Sequence, residues 1–255
     1  MARVLGCCVL RLILMGKFDR AAAQPGAFLL LLLLSSCATP PPGTLTGKVT
    51  FTGARPTPKQ INIEEDAECV KLNPNGMSDE AILVNKDGTL SNVFVYVKEG
   101  LKTRNYDKPT QPVVLDQKGC RFSPRVFGIQ AGQPFTVTNS DPITHNVHPI
   151  AKMNREWNQS QSPEDPPIQR KFARPEMMVR IKCNVHNWMR SWVAVMDHPF
   201  YAVTKADGSF QIPNLPPGDY VIEAWQENLG TQQQRVHIAS SSTQAVNFTF
   251  TGEHP

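Results

Sequence analysis

The chain has few features that would build helices or cross a membrane. No segment longer than ten residues keeps the 3.6-residue apolar period of an amphipathic helix, and the 22 prolines oppose helices further. The apolar run Ala27–Leu34 is too short to span a bilayer, which takes about 20 apolar residues. These absences argue against a helical bundle and against a membrane-crossing helix at this run.

The chain also lacks a concentration of positive charge. Its formal net charge is +4. Residues 1–36 contain four basic residues and one acidic residue, a net charge of +3, so residues 37–255 carry only +1. No basic patch or long run of like charge remains, and no nucleic-acid partner is expected.

The first 37 residues have the pattern of an export signal. Ala27–Leu34 suits the apolar core of a signal peptide. It ends in Leu34-Ser-Ser-Cys37, which resembles a bacterial lipobox. The resemblance implies that residues 1–37 are a lipoprotein signal, with cleavage before Cys37 and lipidation of that cysteine.

The start and the location of the mature protein follow from this interpretation. Two basic residues close behind Met15 would form the positive region of the signal and make Met15 the start, although one long signal beginning at Met1 is the alternative. Residues 38–43 form a proline-rich tether. We therefore expect a lipid-anchored protein of the bacterial cell envelope that faces the periplasm. Ala38 is not an acidic retention signal, which favours the outer membrane.

Beyond the tether, strand patterns dominate. Short segments rich in β-branched and aromatic residues alternate with Gly, Pro, Asn and Asp. They predict an all-β protein made of sandwiches. The predicted strands are Leu45–Phe51, Asn92–Lys98, Phe135–Thr138, Val179–Cys183, Trp192–Met196, Tyr220–Trp225 and Val246–Phe250. Residues 149–176 are polar and proline-rich and predict a long surface segment, with a returning strand at Ile168–Phe172.

The C-terminal part resembles the carboxypeptidase regulatory-like, transthyretin-like sandwich. The residues that carry the resemblance are Asp207-Gly208, at a hairpin turn, and Leu215-Pro-Pro-Gly218, before a strand that starts at Tyr220. The first strands of that family are similar to Gly47–Gly53 and Val93–Val97. The resemblance implies a small, discontinuous sandwich.

The predicted domains follow from that discontinuity. We expect the regulatory-like sandwich at residues 44–108 and 199–252, with a second domain at 109–198 inserted between its two parts. Two sandwiches in series are the alternative.

A soft ligand set lies on one loop of the inserted part. Cys183, His186 and Met189 recur at three-residue intervals, which a strand cannot bring to one side but a turning loop can. His145 follows another strand. Two His, one Cys and a weak axial Met form the ligand set of blue-copper sites. Each residue alone is more often core or a satisfied polar group, and zinc also suits Cys and His. The Met favours copper over zinc.

This region resembles the cupredoxin family. Cys183-Asn-Val-His-Asn-Trp-Met189 has the Cys-x2-His-x2-Met spacing of the amicyanin branch, and Gly132–His148 is similar to that branch's strand, turn and first histidine. The resemblance covers residues 110–197. It implies a Greek-key sandwich with one type 1 copper ion held by His145, Cys183, His186 and Met189.

Two neighbours of the first ligand have open roles. Asn146 resembles the family asparagine that ties the two ligand loops together, although an ordinary turn residue is the alternative. His148 lies at an odd offset from His145, so on a strand it faces the other way. We expect His148 to be a surface or supporting residue, and direct ligation is the alternative.

Several other polar residues are expected to lie at the surface. Three carboxylates lie in turn or loop sequence and are expected to be solvated: Asp141, Glu164 and Asp165. Three histidines have no partner at useful spacing: His198, His237 and His254. Trp188 or Trp192 would form an apolar rim around His186, and the other would be core.

The remaining cysteines can then be assigned. Cys7 and Cys8 leave with the signal, Cys37 carries lipid and Cys183 binds metal. Cys69 and Cys120 are left in an exported chain, which predicts a disulfide between them; two buried free thiols are the alternative.

The predicted function is single-electron transfer through the exposed edge of His186 to a periplasmic redox protein. No catalytic residues are expected. Two alternatives remain. One is a copper enzyme or sensor with an open coordination position, and the other is an envelope binding or structural protein that does not use copper for electron transfer.

Overall fold

The computed structural model describes residues 39–102 and 105–252. Four predicted features lie outside these residues: the signal peptide, the start at Met15, the lipidation site at Cys37 and the surface residue His254. The described part contains 19 strands and one short helix, so the predicted all-β class is confirmed. No helix within it is both long enough and apolar enough to cross a membrane.

Two four-stranded sheets combine strands from the beginning and the end of the chain. Sheet A contains β1 (Gly43–Thr52), β15 (Ser209–Leu215), β18 (Thr243–Ala245) and β19 (Phe248–Thr251). Sheet B has the order β14 (Tyr201–Val203), β4 (Phe94–Glu99), β16 (Gly218–Gln226) and β17 (Gly230–Ile238).

The middle of the chain forms two further sheets. Sheet C has the order β10 (Gln159–Gln161), β9 (His145–Ile150), β12 (Glu176–Lys182), β13 (Arg190–Met196) and β7 (Val126–Gln130). Sheet D has the order β11 (Ile168–Lys171), β8 (Pro134–Asn139), β5 (Val113–Gln117) and β6 (Phe122–Ser123).

Sheet B is covered on both faces. Along β4, Val95 and Val97 belong to the core shared with sheet A, whereas Phe94 and Tyr96 belong to a second cluster on the opposite face. This alternation follows from the two-residue period of a strand. The partners of Phe94 and Tyr96 are three buried side chains of β7 and β13: Val126, Ala194 and Met196. The sheets therefore stack in the order A, B, C, D.

The core between sheets C and D holds two of the predicted ligands. On β12, Val179 and Ile181 are buried in this core while Arg180 is exposed, as the period of a strand requires. Cys183, which follows the end of β12, and Met189, just before β13, belong to the same apolar cluster. The side chains of Cys183 and Met189 therefore both lie in the apolar core of the sandwich.

One segment outside sheets A to D, which contains a small two-stranded sheet of its own, covers an end of this sandwich. It comprises β2 (Gln60–Ile61), α1 (Ala67–Leu72) and β3 (Met77–Ser78), and we call residues 60–78 the cap. Asp66 begins α1 because its Oδ1 accepts the backbone N–H groups of Glu68 and Cys69, both at 3.0 Å. Cys69 is joined to Cys120 by a disulfide with a Cα–Cα distance of 5.7 Å.

Candidate metal centre

Residues Cys183–Met189, which we call the ligand loop, turn back on themselves. The N–H of Cys183 donates to the carbonyl of Met189 at 3.2 Å, and the N–H of Met189 donates to the carbonyl of His186 at 3.0 Å. Every third side chain is buried: Cys183 and His186 are 2% exposed and Met189 is 1% exposed. Of the residues between them, Asn184–Val185 and Asn187 are exposed and Trp188 is half-buried. The three-residue interval thus places one side of the loop in the interior.

Three of the predicted ligands converge. His145 is the first residue of β9 and is fully buried. Its Nδ1 lies 2.9 Å from Nδ1 of His186. Cys183 Sγ lies 3.9 Å from the same His186 nitrogen and accepts the backbone N–H of His186 at 3.3 Å. One donor atom from each of His145, Cys183 and His186 lies within 4.8 Å of the others. Met189 is buried in the same core as Cys183.

A buried carboxylate holds the outer nitrogen of His145. Asp141 Oδ2 lies 2.8 Å from His145 Nε2, and its two oxygens also accept the N–H groups of Gly119 at 2.6 Å and Cys120 at 2.7 Å. The prediction that Asp141 is solvated is wrong, because Asp141 is only 3% exposed. Its turn, typical of a solvated loop in sequence, is covered by the turn that precedes β6.

A second carboxylate holds the outer nitrogen of His186. Asp66, the residue that begins α1, places Oδ2 3.0 Å from His186 Nε2. The prediction of an exposed His186 edge is therefore wrong, because the cap lies over it. The sequence did contain a signal for this residue, since Asp66-Ala-Glu-Cys69 is a helix start next to a cysteine. Nothing in it indicated contact with a histidine 120 positions away.

The electrostatics favour a thiolate at Cys183. Burial raises the pKa of the thiol, but hydrogen bonds with His145 and His186 lower it to about 6. Burial lowers the pKa of each histidine, yet contacts with Cys183 and with a carboxylate outweigh burial and raise both pKa values above the usual range. The pKa of Asp66 is held below its usual range, first by its hydrogen bond with His186.

This donor set fits a cation. An ionised carboxylate can only accept, so Asp141 and Asp66 select the Nε2–H form of each ring and leave Nδ1 as a lone pair. Two Nδ1 lone pairs 2.9 Å apart repel each other unless a proton or a metal ion lies between the rings. A thiolate faces the same space. Two imidazoles and a thiolate suit copper and zinc, and Met189, buried in the same core as Cys183, suits copper.

Asn146 joins the two parts of the chain that carry the ligands. Its Oδ1 accepts the backbone N–H of Asn184 at 3.2 Å, and its Nδ2 donates to Asn158 Oδ1 at 2.6 Å. The side chain therefore connects β9 to the ligand loop. His148 lies outside the convergent set. Its ring nitrogens contact Glu156 at 2.5 Å and Asn184 at 3.4 Å.

The two tryptophans have different surroundings. Trp188 is half-buried, its ring centroid lies 5.1 Å from that of His186, and its Nε1 donates to the carbonyl of Cys120 at 3.0 Å. It contacts His186 beneath the cap instead of forming an open rim. Trp192 packs against Trp225 in the cluster between sheets B and C, with 5.4 Å between ring centroids.

Some of the other predicted surface residues are exposed in the structure and one is buried. Glu164, Asp165 and His237 are exposed. The prediction for His198 is wrong, because it is buried, with Nε2 at 2.9 Å from the carbonyl of Val97. The neutral ring suits this position, since burial lowers the pKa of His198.

Comparison with known proteins supports the interpretation of the C-terminal part of the chain. Residues 193–251 match the model of the carboxypeptidase regulatory-like domain. No curated protein matches the chain by sequence.

Similar solved structures include an amicyanin, a purple cupredoxin and a copper-containing nitrite reductase. A methionine-to-alanine mutant of amicyanin in its Cu(I) form has a TM-score of 0.30 and 20% identity, over 33% of this chain and 82% of that chain. A purple cupredoxin from Nitrosopumilus maritimus has a TM-score of 0.26 and 24% identity, over 30% and 82%. The Cu-containing nitrite reductase from Thermus scotoductus SA-01 has a TM-score of 0.32 and 16% identity, over 38% of this chain and only 25% of the reductase. With scores this low, the assignment of the site depends on its own geometry.

Proposed function

We propose that this protein carries single electrons through one type 1 copper site formed by His145, Cys183, His186 and Met189. We further propose that it is anchored by lipid at Cys37 to the bacterial envelope, in the outer membrane, and exchanges electrons with a redox protein of the periplasm. The observation that supports the site most directly is the convergence of two imidazole Nδ1 atoms and one thiol, all buried, within 4.8 Å.

Copper bound by such ligands supplies a one-electron couple whose two oxidation states accept nearly the same coordination. Coordination that stays the same in both oxidation states requires ligands held in fixed positions, and contacts within this chain hold them. Asp141 and Asp66 fix the ring orientations from outside, and Asn146 ties β9 to the ligand loop. These contacts hold the two imidazole rings and the ligand loop in fixed relative positions.

Electron transfer is favoured over catalysis because the ligand residues are closed off from solvent. His145, Cys183, His186 and Met189 are each 2% exposed or less. A substrate would need an open coordination position and a path to it. His148, for which direct ligation is the alternative, contacts Glu156 instead.

The test uses residues 39–255, which form one compact unit. The protein is loaded with Cu(II), and its visible and paramagnetic-resonance spectra are recorded beside those of a Cys183→Ser variant. We expect an intense thiolate-to-copper absorption in the wild type that disappears in the variant, because a hydroxyl cannot replace the thiolate. Cyclic voltammetry then gives the reversibility of the couple.

A His237→Ala variant serves as the matched control, since His237 is an exposed histidine far in sequence from the ligands. Its spectra should equal those of the wild type. Absence of the absorption in the wild type, together with tight zinc binding or no metal binding, would reject the carrier. The envelope location is tested separately by intact-mass measurement of membrane fractions, where an unmodified Cys37 would reject the anchor.

A further inference from the structure

We propose that Asp66 is a positioning residue for the metal ligand His186, delivered by the cap, and that it lowers the reduction potential of the site. This inference rests on the proposed function, because it concerns how the same site is tuned. Asp66 contacts the ligand ring and not the metal-facing nitrogen, so it acts through His186.

The two carboxylate oxygens of Asp66 have separate partners. Oδ1 accepts the N–H groups of Glu68 and Cys69 and so begins α1. Oδ2 faces His186 Nε2 at 3.0 Å. The position of Oδ2 is thus determined by the start of a helix, which is a more rigid support than a free side chain on a loop.

The cap is covalently tied to the sandwich at this point. Cys69, three residues after Asp66, is fully buried and bonded to Cys120. The N–H of Cys120 donates to Asp141 at 2.7 Å, and Asp141 holds His145. The disulfide therefore connects the two carboxylates that hold the outer nitrogens of the two histidines.

Apolar packing covers the His186 side of this contact. Ile63, Cys69, Met77 and Cys120 form a small buried cluster, and Trp188 packs against it. The Trp188 indole also contacts the ring of His186. The His186 side chain is therefore only 3% exposed, whereas the Asp66 side chain is 29% exposed, so the ring is shielded from water and solvent partly screens the carboxylate.

A carboxylate on Nε2–H makes the imidazole a stronger electron donor at Nδ1. A stronger donor stabilises the more highly charged, oxidised metal ion over the reduced one. Removing the negative charge from Asp66 should therefore raise the reduction potential. It should also loosen the orientation of the His186 ring.

The test compares Asp66→Asn with Glu68→Gln. Asparagine keeps an oxygen that can begin α1, since Asn is as good as Asp at this position. It places an NH₂ group, and no acceptor, toward His186. Glu68→Gln removes the same charge two positions away, from a side chain that pairs with Lys71 and does not contact His186.

We expect Asp66→Asn to change the ratio of oxidised to reduced protein at a fixed potential by about tenfold in favour of the reduced form, which is about 59 mV for a one-electron couple. Glu68→Gln should change the ratio by less than about twofold. Nitrogen-15 spectra of the diamagnetic Cu(I) form should show that the Nε2 proton of His186 is hydrogen-bonded in the wild type and in Glu68→Gln. In Asp66→Asn the signal of this hydrogen bond should be lost.

Three results would overturn the inference. An unchanged potential and an unchanged Nε2 proton in Asp66→Asn would show that the carboxylate does not act on the ring. Equal shifts in both variants would assign the effect to net charge and not to the contact. A wild type without thiolate-to-copper absorption would reject the proposed function and this inference together. With the absorption intact, the first two results, or an unchanged potential by itself, reject the inference alone.

Discussion

Replacing both Cys69 and Cys120 with alanine should destabilise the protein by about 4 kcal/mol. The disulfide closes a loop with a sequence separation of 51. In the chain-entropy description, a loop of that size restricts the unfolded chain by about 14 cal/mol/K, which is about 4 kcal/mol at room temperature. For a domain of this size, each kcal/mol lowers the melting temperature by about 2–4 °C, so we expect a fall of about 8–16 °C.

The measurement is guanidinium-induced unfolding of the metal-free protein, followed by tryptophan fluorescence. Cys183→Ala is the matched control, because it removes a buried sulfur without removing a cross-link. The difference between the double variant and the control reports the cross-link. A loss of less than about 1 kcal/mol beyond the control would refute the reasoning, since the entropic restriction would then be absent.

Three further predictions concern side chains around the site and between the sheets. Asn146→Ala should weaken copper binding about 10–100-fold, measured by chelator competition, because the ligand loop loses its tie to β9; unchanged affinity would contradict this role. His148→Ala should leave the absorption and the potential unchanged, because the ring lies outside the convergent ligand set; a lost absorption would make it a ligand. Arg125→Ala should cost about 3–5 kcal/mol in denaturant unfolding, since Glu227, 2.6 Å away, stays buried without its cation. Lys71→Ala, in an exposed pair, should cost about 0.5 kcal/mol or less, and equal losses in the two variants would contradict the difference in burial.

The elements that could be predicted from sequence are local ones. The strand at Val179–Cys183 is visible because Val179 and Ile181 alternate with charged residues, and the structure places the strand at Glu176–Lys182. The ligand loop is visible because its three candidate ligands lie within seven residues of one another. In both cases the pattern that predicts the element lies in neighbouring positions, so the sequence of that one segment is enough to predict it.

The contacts that could not be predicted join distant segments. Asp66 and His186 are 120 positions apart, and neither has a local feature that specifies the other. Asp141 resembled a solvated turn residue because its cover comes from a different hairpin. Phe94 and Tyr96 marked a strand, but whether both faces are covered depends on which sheet packs against them. Pairing of this kind is a property of the whole fold.

The position of sheet B between two apolar cores determines which part of this protein can be excised as a separate domain. A gene fragment that encodes residues 109–198 would keep all four candidate ligands, but it would expose Val126, Ala194 and Met196 to water. Such a face makes an excised domain prone to aggregate. Anyone who wishes to transplant the centre into another scaffold must therefore bring β4 and β16 along, or substitute polar side chains on that face.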